Sequence, residues 1–300
     1  SLGFYYRLTN DNVKKDDVKE QKQEEEVVSK KEEMDASLVM VGDALIHSSI
    51  YLDAYTGSGY DFKPMLKEIK PMIKDYDLKY YNQETILGGT ELGLSNYPRF
   101  NSPYEVGDAF IDAGFNLVSL ATNHTMDKGE QGVINSLNYW NSKDDVYTAG
   151  SYLSNEDIDE VIIKEVNGIT YSFFSYTTWT NGLETPSGKE YLNNVYSPEK
   201  AKADIEKVRD KVDVVIVAMH WGTEYSTSVS ATQEEIANYL SSLGVDIIIG
   251  SHPHVVEPIA FIGKTMVIYS LGNFISDQEG VERLTGLMAS IDIHKSVENG

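Results

Sequence analysis

Five short apolar runs recur from Ser37 onward: SLVMV (37–41), FNLVSLA (115–121), VDVVIVAM (212–219), VDIIIG (245–250) and TMVIYSL (265–271). They are near-continuous rather than alternating, the pattern of strands covered on both faces. Helical patterns lie between them. Ser102-Pro103 opens YEVGDAFIDAG, with the proline suited to a first turn and Gly114 to the stop, and Ser197-Pro198 opens EKAKADIEKVRDKV in the same way. Thr232-Gln233-Glu234-Glu235 reads as a capping box before IANYLSSL, which Gly244 ends. Strands alternating with helices predict a layered α/β domain, here over residues 37–300.

Residues 1–36 break the pattern. After SLGFYYRL comes a stretch rich in Lys and Glu and poor in core formers, which predicts a charged tether, with a docked helix as the alternative. No run of about 18 apolar residues occurs, so no segment has the length and apolarity of a membrane-spanning helix. The chain opens at Ser1, and the expectation is an N-terminal anchor or signal absent from this chain, with the domain at the extracellular face of the cell membrane. The end at Asn299-Gly300 suggests that a last strand is missing as well.

Composition narrows the partners. A hydrophobic content of 41% supports a sizeable core. A formal net charge of −22 argues against nucleic acid or an anionic membrane surface as the main partner. With no cysteine, disulfides, thiolate metal sites and a cysteine nucleophile are excluded.

The chemistry gathers where the apolar runs stop. SLVMV is followed by Gly42-Asp43 and then His47, FNLVSLA by Thr122-Asn123-His124, and VDVVIVAM by His220-Trp221-Gly222. VDIIIG leads into Ser251-His252-Pro253-His254, and TMVIYSL into Gly272-Asn273. Ligands of α/β sheets bind at the carboxyl ends of strands, and of the 6 histidines only His294 lies away from such an end. In extended backbone His252 and His254 would aim both imidazoles to one side, with Gly250 and Ser251 allowing a close backbone approach. Imidazoles together with Asp, Asn and Glu oxygens suit Zn, Mn or Fe rather than a calcium cage. Ligands from several strand ends can hold two divalent ions about 3.5–4 Å apart, an arrangement used for hydrolysis.

The stretches VGDALIH (41–47), YNQETILGG (81–89), YPRFNSP (97–103), ATNHTMDKG (121–129), YTTWTNG (176–182), AMHWGTEY (218–225), GSHPHVVEP (250–258) and YSLGNFISDQ (269–278) occur in the order found in one family. In them the chain resembles the CapA-type capsule biosynthesis proteins, associated with poly-γ-glutamate synthesis, whose domain is similar to the calcineurin-type metallophosphoesterases. The resemblance implies a four-layer α-β-β-α sandwich. It also implies one metal held by Asp43, Glu84 and His254 with His47, and another held by Glu84, Asn123, His220 and His252, with Glu84 bridging. Water activated by metal would be the nucleophile, and His124 would protonate the leaving oxygen. Two positions depart from the phosphoesterase pattern. Asp43 and His47 are four residues apart rather than two, and Glu84 stands where an aspartate bridges.

Other residues of these motifs have two readings. Asp127 either holds the His124 tautomer or shapes a turn, and Arg99 either contacts an anionic substrate or is an ordinary surface arginine. Trp221 and Glu224 wall a pocket, or Trp221 packs in the core; Asn181 and Asn273 orient loops. Three functions follow: a metal-dependent hydrolase acting on a phosphorylated substrate or an anionic polymer; a non-catalytic binding or assembly subunit beside other capsule-synthesis membrane subunits; and an enzyme cleaving an envelope amide or ester.

Overall fold

A computed structural model describes residues 29–300. Residues 1–28 of the expected tether lie outside the described residues, and the first strand begins at Lys31 rather than at Ser37. Glu33–Ser296 form one compact unit. The strands are β1 (Lys31–Ala44), β2 (Leu78–Gln83), β3 (Leu117–Ser119), β4 (Tyr147–Ala149), β5 (Lys164–Val166), β6 (Ile169–Thr177), β7 (Val214–His220), β8 (Ile247–Ser251), β9 (Val256–Ile262), β10 (Thr265–Leu271), β11 (Asn273–Ile275) and β12 (Ala289–Glu298). The α-helices are α1 (Ser48–Asp53), α2 (Ile69–Ile73), α3 (Glu105–Ala113), α4 (Gly129–Asn141), α5 (Asn155–Asp159), α6 (Pro198–Val208) and α7 (Ala231–Ser242).

The strands form two sheets. The first has the order β11-β1-β2-β3-β4 with parallel pairs, and β12 also pairs with β1. The second has the order β5-β6-β7-β8-β10-β9, parallel through its centre and antiparallel at both edges.

Alternation along single strands shows why the apolar runs are continuous. In β1, Leu38 and Met40 enter the core shared with Phe173, Ile216 and Ile249 of the second sheet, whereas Val39 and Val41 enter a core shared with Phe110 of α3 and Leu137 of α4. In β7, Val214, Ile216 and Ala218 face the first sheet, while Val215, Val217 and Met219 pack on Ile205 of α6 and Leu240 of α7. Three cores therefore separate four layers, helix, sheet, sheet and helix, as the family resemblance implies. Each aliphatic side chain buried in them contributes about 1.5–3 kcal/mol.

The helix ends follow the local signals, with one shift. Ser197 caps α6 through the Lys200 N–H with Pro198 in the first turn, and Gly114 ends α3 at φ 107°. The capping box of α7 is Ser230 with Gln233, upstream of the expected Thr232–Glu235, and the helix starts at Ala231.

Gly42 and Gly250 are among the glycines that a close backbone approach requires. A Cβ on Gly42 would sit 1.8 Å from the Gly272 carbonyl oxygen, and one on Gly250 would sit 1.9 Å from that of Tyr269. Both precede site residues, so the absence of side chains there lets neighbouring strand ends converge. No helix among the described residues is long and apolar enough to cross a membrane.

Candidate metal centre

The carboxyl ends of the two sheets bring the predicted side chains together. Asp43 lies near the end of β1 at an irregularity in its register, Glu84 follows β2, His220 ends β7, and His252 and His254 follow β8. All five are buried. Glu84, His252 and His254 each place a ligand atom within 4.8 Å of the others, close enough to share one ion.

The surrounding distances are short. Glu84 Oε1 lies 3.5 Å from both His220 Nε2 and His254 Nε2. Asp43 Oδ2 lies 3.1 Å from His254 Nδ1, and Asp43 Oδ1 accepts from Asn82 Nδ2 at 2.9 Å. His220 touches Ser251 Oγ through Nδ1 at 2.8 Å and Asn123 Oδ1 through Nε2 at 2.9 Å. His254 Nδ1 is also 2.9 Å from Asn273 Oδ1. The ring of His252 lies 4.8 Å from that of His220 and 5.8 Å from that of His254, centre to centre.

The His-Pro-His segment converges for a reason other than the expected one. His252 and His254 are not extended; both adopt positive φ, 99° and 61°. That conformation is uncommon outside glycine and costs on the order of 1 kcal/mol or more per residue. The turn is held where Tyr225 N donates to the Pro253 carbonyl at 2.8 Å.

The donor set fits a cation. Three buried atoms of the cluster, both Glu84 carboxyl oxygens and His252 Nδ1, have no hydrogen-bond partner, and Asp43 Oδ2 meets only His254 Nδ1; buried acceptors without a donor are costly unless a positive charge meets them. Burial pushes the Glu84 carboxyl well above its ordinary range. Burial likewise drives His252 well below its usual value and His220 down to about 3, so both present neutral imidazoles, the form that ligates metal. For His254 burial acts downward too, but the Glu84 and Asp43 carboxylates outweigh it and hold the ring up to about 9. A divalent ion would meet the same carboxylates in place of that proton and be bound by the neutral ring.

The remaining predicted residues divide. Asn123 joins the cluster through His220, and Asn181 braces it: Asn123 Nδ2 donates to Asn181 Oδ1 at 3.1 Å and Asn181 Nδ2 to the Asn123 carbonyl at 3.0 Å. His124 is buried, with Nδ1 2.6 Å from Asp127 Oδ2, which also accepts the Phe100 N–H at 2.7 Å. That engagement leaves His124 Nε2 as the nitrogen available to the adjacent cavity. His47 stands outside the three-residue group that can share an ion; it is half-buried, and its Nδ1 is 3.0 Å from the donating Asp277 N–H.

A cavity of about 470 Å³ beside the cluster is lined by Arg99, Asn123, His124, Trp179, Asn181 and Glu224, among others. Trp221 does not line it. It is buried, its indole N–H donates to the Tyr269 carbonyl at 2.9 Å, and its ring stacks on Tyr269, so it serves the core behind the site. The tryptophan at the cavity is Trp179, which is 57% exposed. Asn82 and Ser251 went unselected in the sequence; a polar residue at the end of a buried strand, as in YNQET and IIIGS, was the available signal.

Comparison with known proteins agrees with this architecture. A curated relative, the PGA biosynthesis protein CapA of Bacillus subtilis, is 35% identical over 175 residues, 56% of this chain and 44% of that protein. The capsule biosynthesis protein CapA of Bacillus anthracis is 27% identical over 265 residues, 84% of this chain and 62% of that protein. The chain thus spans less than two thirds of the length of either relative. Among solved structures, the NAD nucleotidase of Haemophilus influenzae superposes with a TM-score of 0.52 at 14% identity, covering 88% of this chain and 53% of that one, a likeness of fold alone. The sequence pattern of the family described as bacterial capsule synthesis protein PGA_cap matches residues 37–278, and the chain belongs to that family.

Proposed function

We propose that this chain is a metal-dependent hydrolase of poly-γ-glutamate capsule biosynthesis, breaking a phosphoester or related bond with water. The observation that carries the reading is the convergence of Glu84, His252 and His254, with unpartnered buried carboxyl oxygens, beside a cavity lined by His124. A divalent ion bound there supplies Lewis-acid polarisation and makes a water nucleophilic near neutral pH. Glu84, His252 and His254 would hold a first ion, with Asp43 beside them, and Asn123, His220 and Glu84 would hold a second. His47 takes no part in the first.

The chain's own part is orientation and proton transfer. Asp127 fixes the His124 ring so that Nε2 faces the substrate, where it delivers a proton to the leaving oxygen. Asn181 fixes the Asn123 amide, and Ser251 orients His220. Arg99 and Trp179 lie where a substrate enters. Family membership supports work alongside other capsule-synthesis subunits; the outer face of the membrane is the proposed place of that work.

One observation favours a second reading, a non-catalytic binding or assembly subunit: among the described residues a single Glu–His–His group lies within reach of one ion, which also suits one structural ion. Hydrolysis of phosphomonoesters and phosphodiesters with added Mn, compared between wild type and His124→Ala, separates the two. Turnover that the substitution abolishes supports the hydrolase; bound metal without turnover supports the binding subunit.

A further inference from the structure

The sequence contains four arginines, Arg7, Arg99, Arg209 and Arg283, in a chain of net charge −22. Arg7 lies outside the described residues. Arg209 is consumed by the fold: it donates to the carbonyls of Gly244, Val212 and Asp213 and to Asp246 Oδ2, at 2.5–3.0 Å. The guanidinium groups of Arg99 and Arg283 have no hydrogen-bond or ion-pair partner among the described residues, and the two residues each border a cavity beside the metal centre.

The strand order sets these cavities on opposite sides. Asp43 and Glu84 sit at the ends of the central neighbours β1 and β2. The Arg99 cavity is built with Asn123 and His124, beyond β3 on one flank. The Arg283 cavity, about 600 Å³, is built with Asn273–Ser276 of and after β11 on the other flank. Arg283 is tied to the centre. Its guanidinium lies over the Tyr225 ring at 4.4 Å, that ring is 6.3 Å from His254, and its carbonyl accepts from Asn273 Nδ2 at 3.1 Å. Tyr225 also lines the Arg99 cavity, so one residue links the two.

We infer that Arg99 and Arg283 are paired anion sites that hold one linear polycarboxylate across the metal centre, so that the chain engages the interior of an anionic polymer rather than its end. A strongly acidic protein repels such a polymer except at cations not already neutralised by a partner, and these two guanidinium groups flank the centre. The planar guanidinium takes a carboxylate in a two-pronged contact. Each cavity also carries one carboxylate, Glu224 or Asp53, so binding is modest and falls steeply with salt. The inference rests on the metal-centre reading only for what lies between the two sites.

The test is fluorescence anisotropy with end-labelled poly-γ-glutamate and the full chain in chelator at low salt, so that no turnover enters the readout. Arg99→Ala and Arg283→Ala each weaken binding about 3- to 10-fold, the double variant weakens it by roughly the product, and Arg283→Lys, which keeps the charge but loses the planar fork, falls between wild type and Arg283→Ala. Circular dichroism confirms that the variants are folded. Wild-type affinity in either folded single Ala variant overturns the inference, as does a double variant no weaker than a single one. Inorganic polyphosphate of matched charge is the second probe: dependence on both arginines for polyphosphate but on neither for poly-γ-glutamate overturns the carboxylate assignment. Arginine-dependent binding without hydrolysis removes the hydrolase reading and leaves this one standing; hydrolysis with silent arginines does the reverse.

Discussion

Asp127 Oδ2 contacts His124 Nδ1 at 2.6 Å and accepts the Phe100 backbone N–H at 2.7 Å. One buried carboxylate oxygen therefore fixes the imidazole and the 97–103 loop that carries Arg99. The Phe100 ring closes the arrangement, meeting His124 edge-on at 4.8 Å.

This relationship separates proton transfer from metal binding. His124→Ala is expected to lower hydrolysis by about 10²–10⁴-fold, and Asp127→Asn by a similar factor, because the ring loses the acceptor that sets its tautomer. Metal content stays at the wild-type level in both. Steady-state kinetics beside elemental analysis of the same samples checks the pair of outcomes.

The close approach of β8 to β10 gives a stability prediction. Gly250→Ala puts a methyl group 1.9 Å from the Tyr269 carbonyl oxygen and 2.7 Å from that of Ile268, both backbone atoms of β10. Urea unfolding is expected to show a loss of about 3 kcal/mol or more with an unchanged m-value. A loss under about 1 kcal/mol would mean that the strands separate freely.

Glu257 makes stability depend on pH. Its side chain is buried, Oε1 accepts from Gln233 Nε2 at 2.7 Å, and Oε2 has no hydrogen-bond partner. Burial raises the carboxyl from 4.5 to about 7. Between those values the folded chain keeps a proton that the unfolded chain has lost, so stability falls as pH rises through this window. Glu257→Gln removes that slope: the variant differs little from wild type near pH 4 and gains roughly 1–2 kcal/mol relative to it above pH 7. Denaturant midpoints across pH 4–8 provide the check, and parallel profiles for the two proteins would contradict it.

Much of the fold was legible because aliphatic runs mark strands covered on both faces; β1, β7, β8 and β10 all coincide with one. The strands β2, LKYYNQ, and β6, ITYSFFSYT, were not, since aromatic and hydroxyl side chains hide burial from such a reading. Tyr80 and Tyr81 are fully buried yet bond Ser119 and Gln83 through their hydroxyls. In the site, histidines at strand ends identified the cluster, but their backbone was misjudged: His252 and His254 converge through positive φ, which no alternation pattern reveals. Proximity in sequence to His220 drew attention to Trp221, whereas the cavity takes Trp179 from a loop distant in the chain. Arg283 carried no motif signal, because its place depends on the tertiary pairing of β11 with β1.

The central claim is that Glu84, His252 and His254 meet to hold a divalent ion. Anomalous diffraction at the Mn, Fe and Zn edges, on crystals grown with each ion, tests it most directly. The account predicts a peak bonded to all three side chains that disappears in the His252→Ala/His254→Ala variant. A peak elsewhere, or none with any of the three ions, would contradict it.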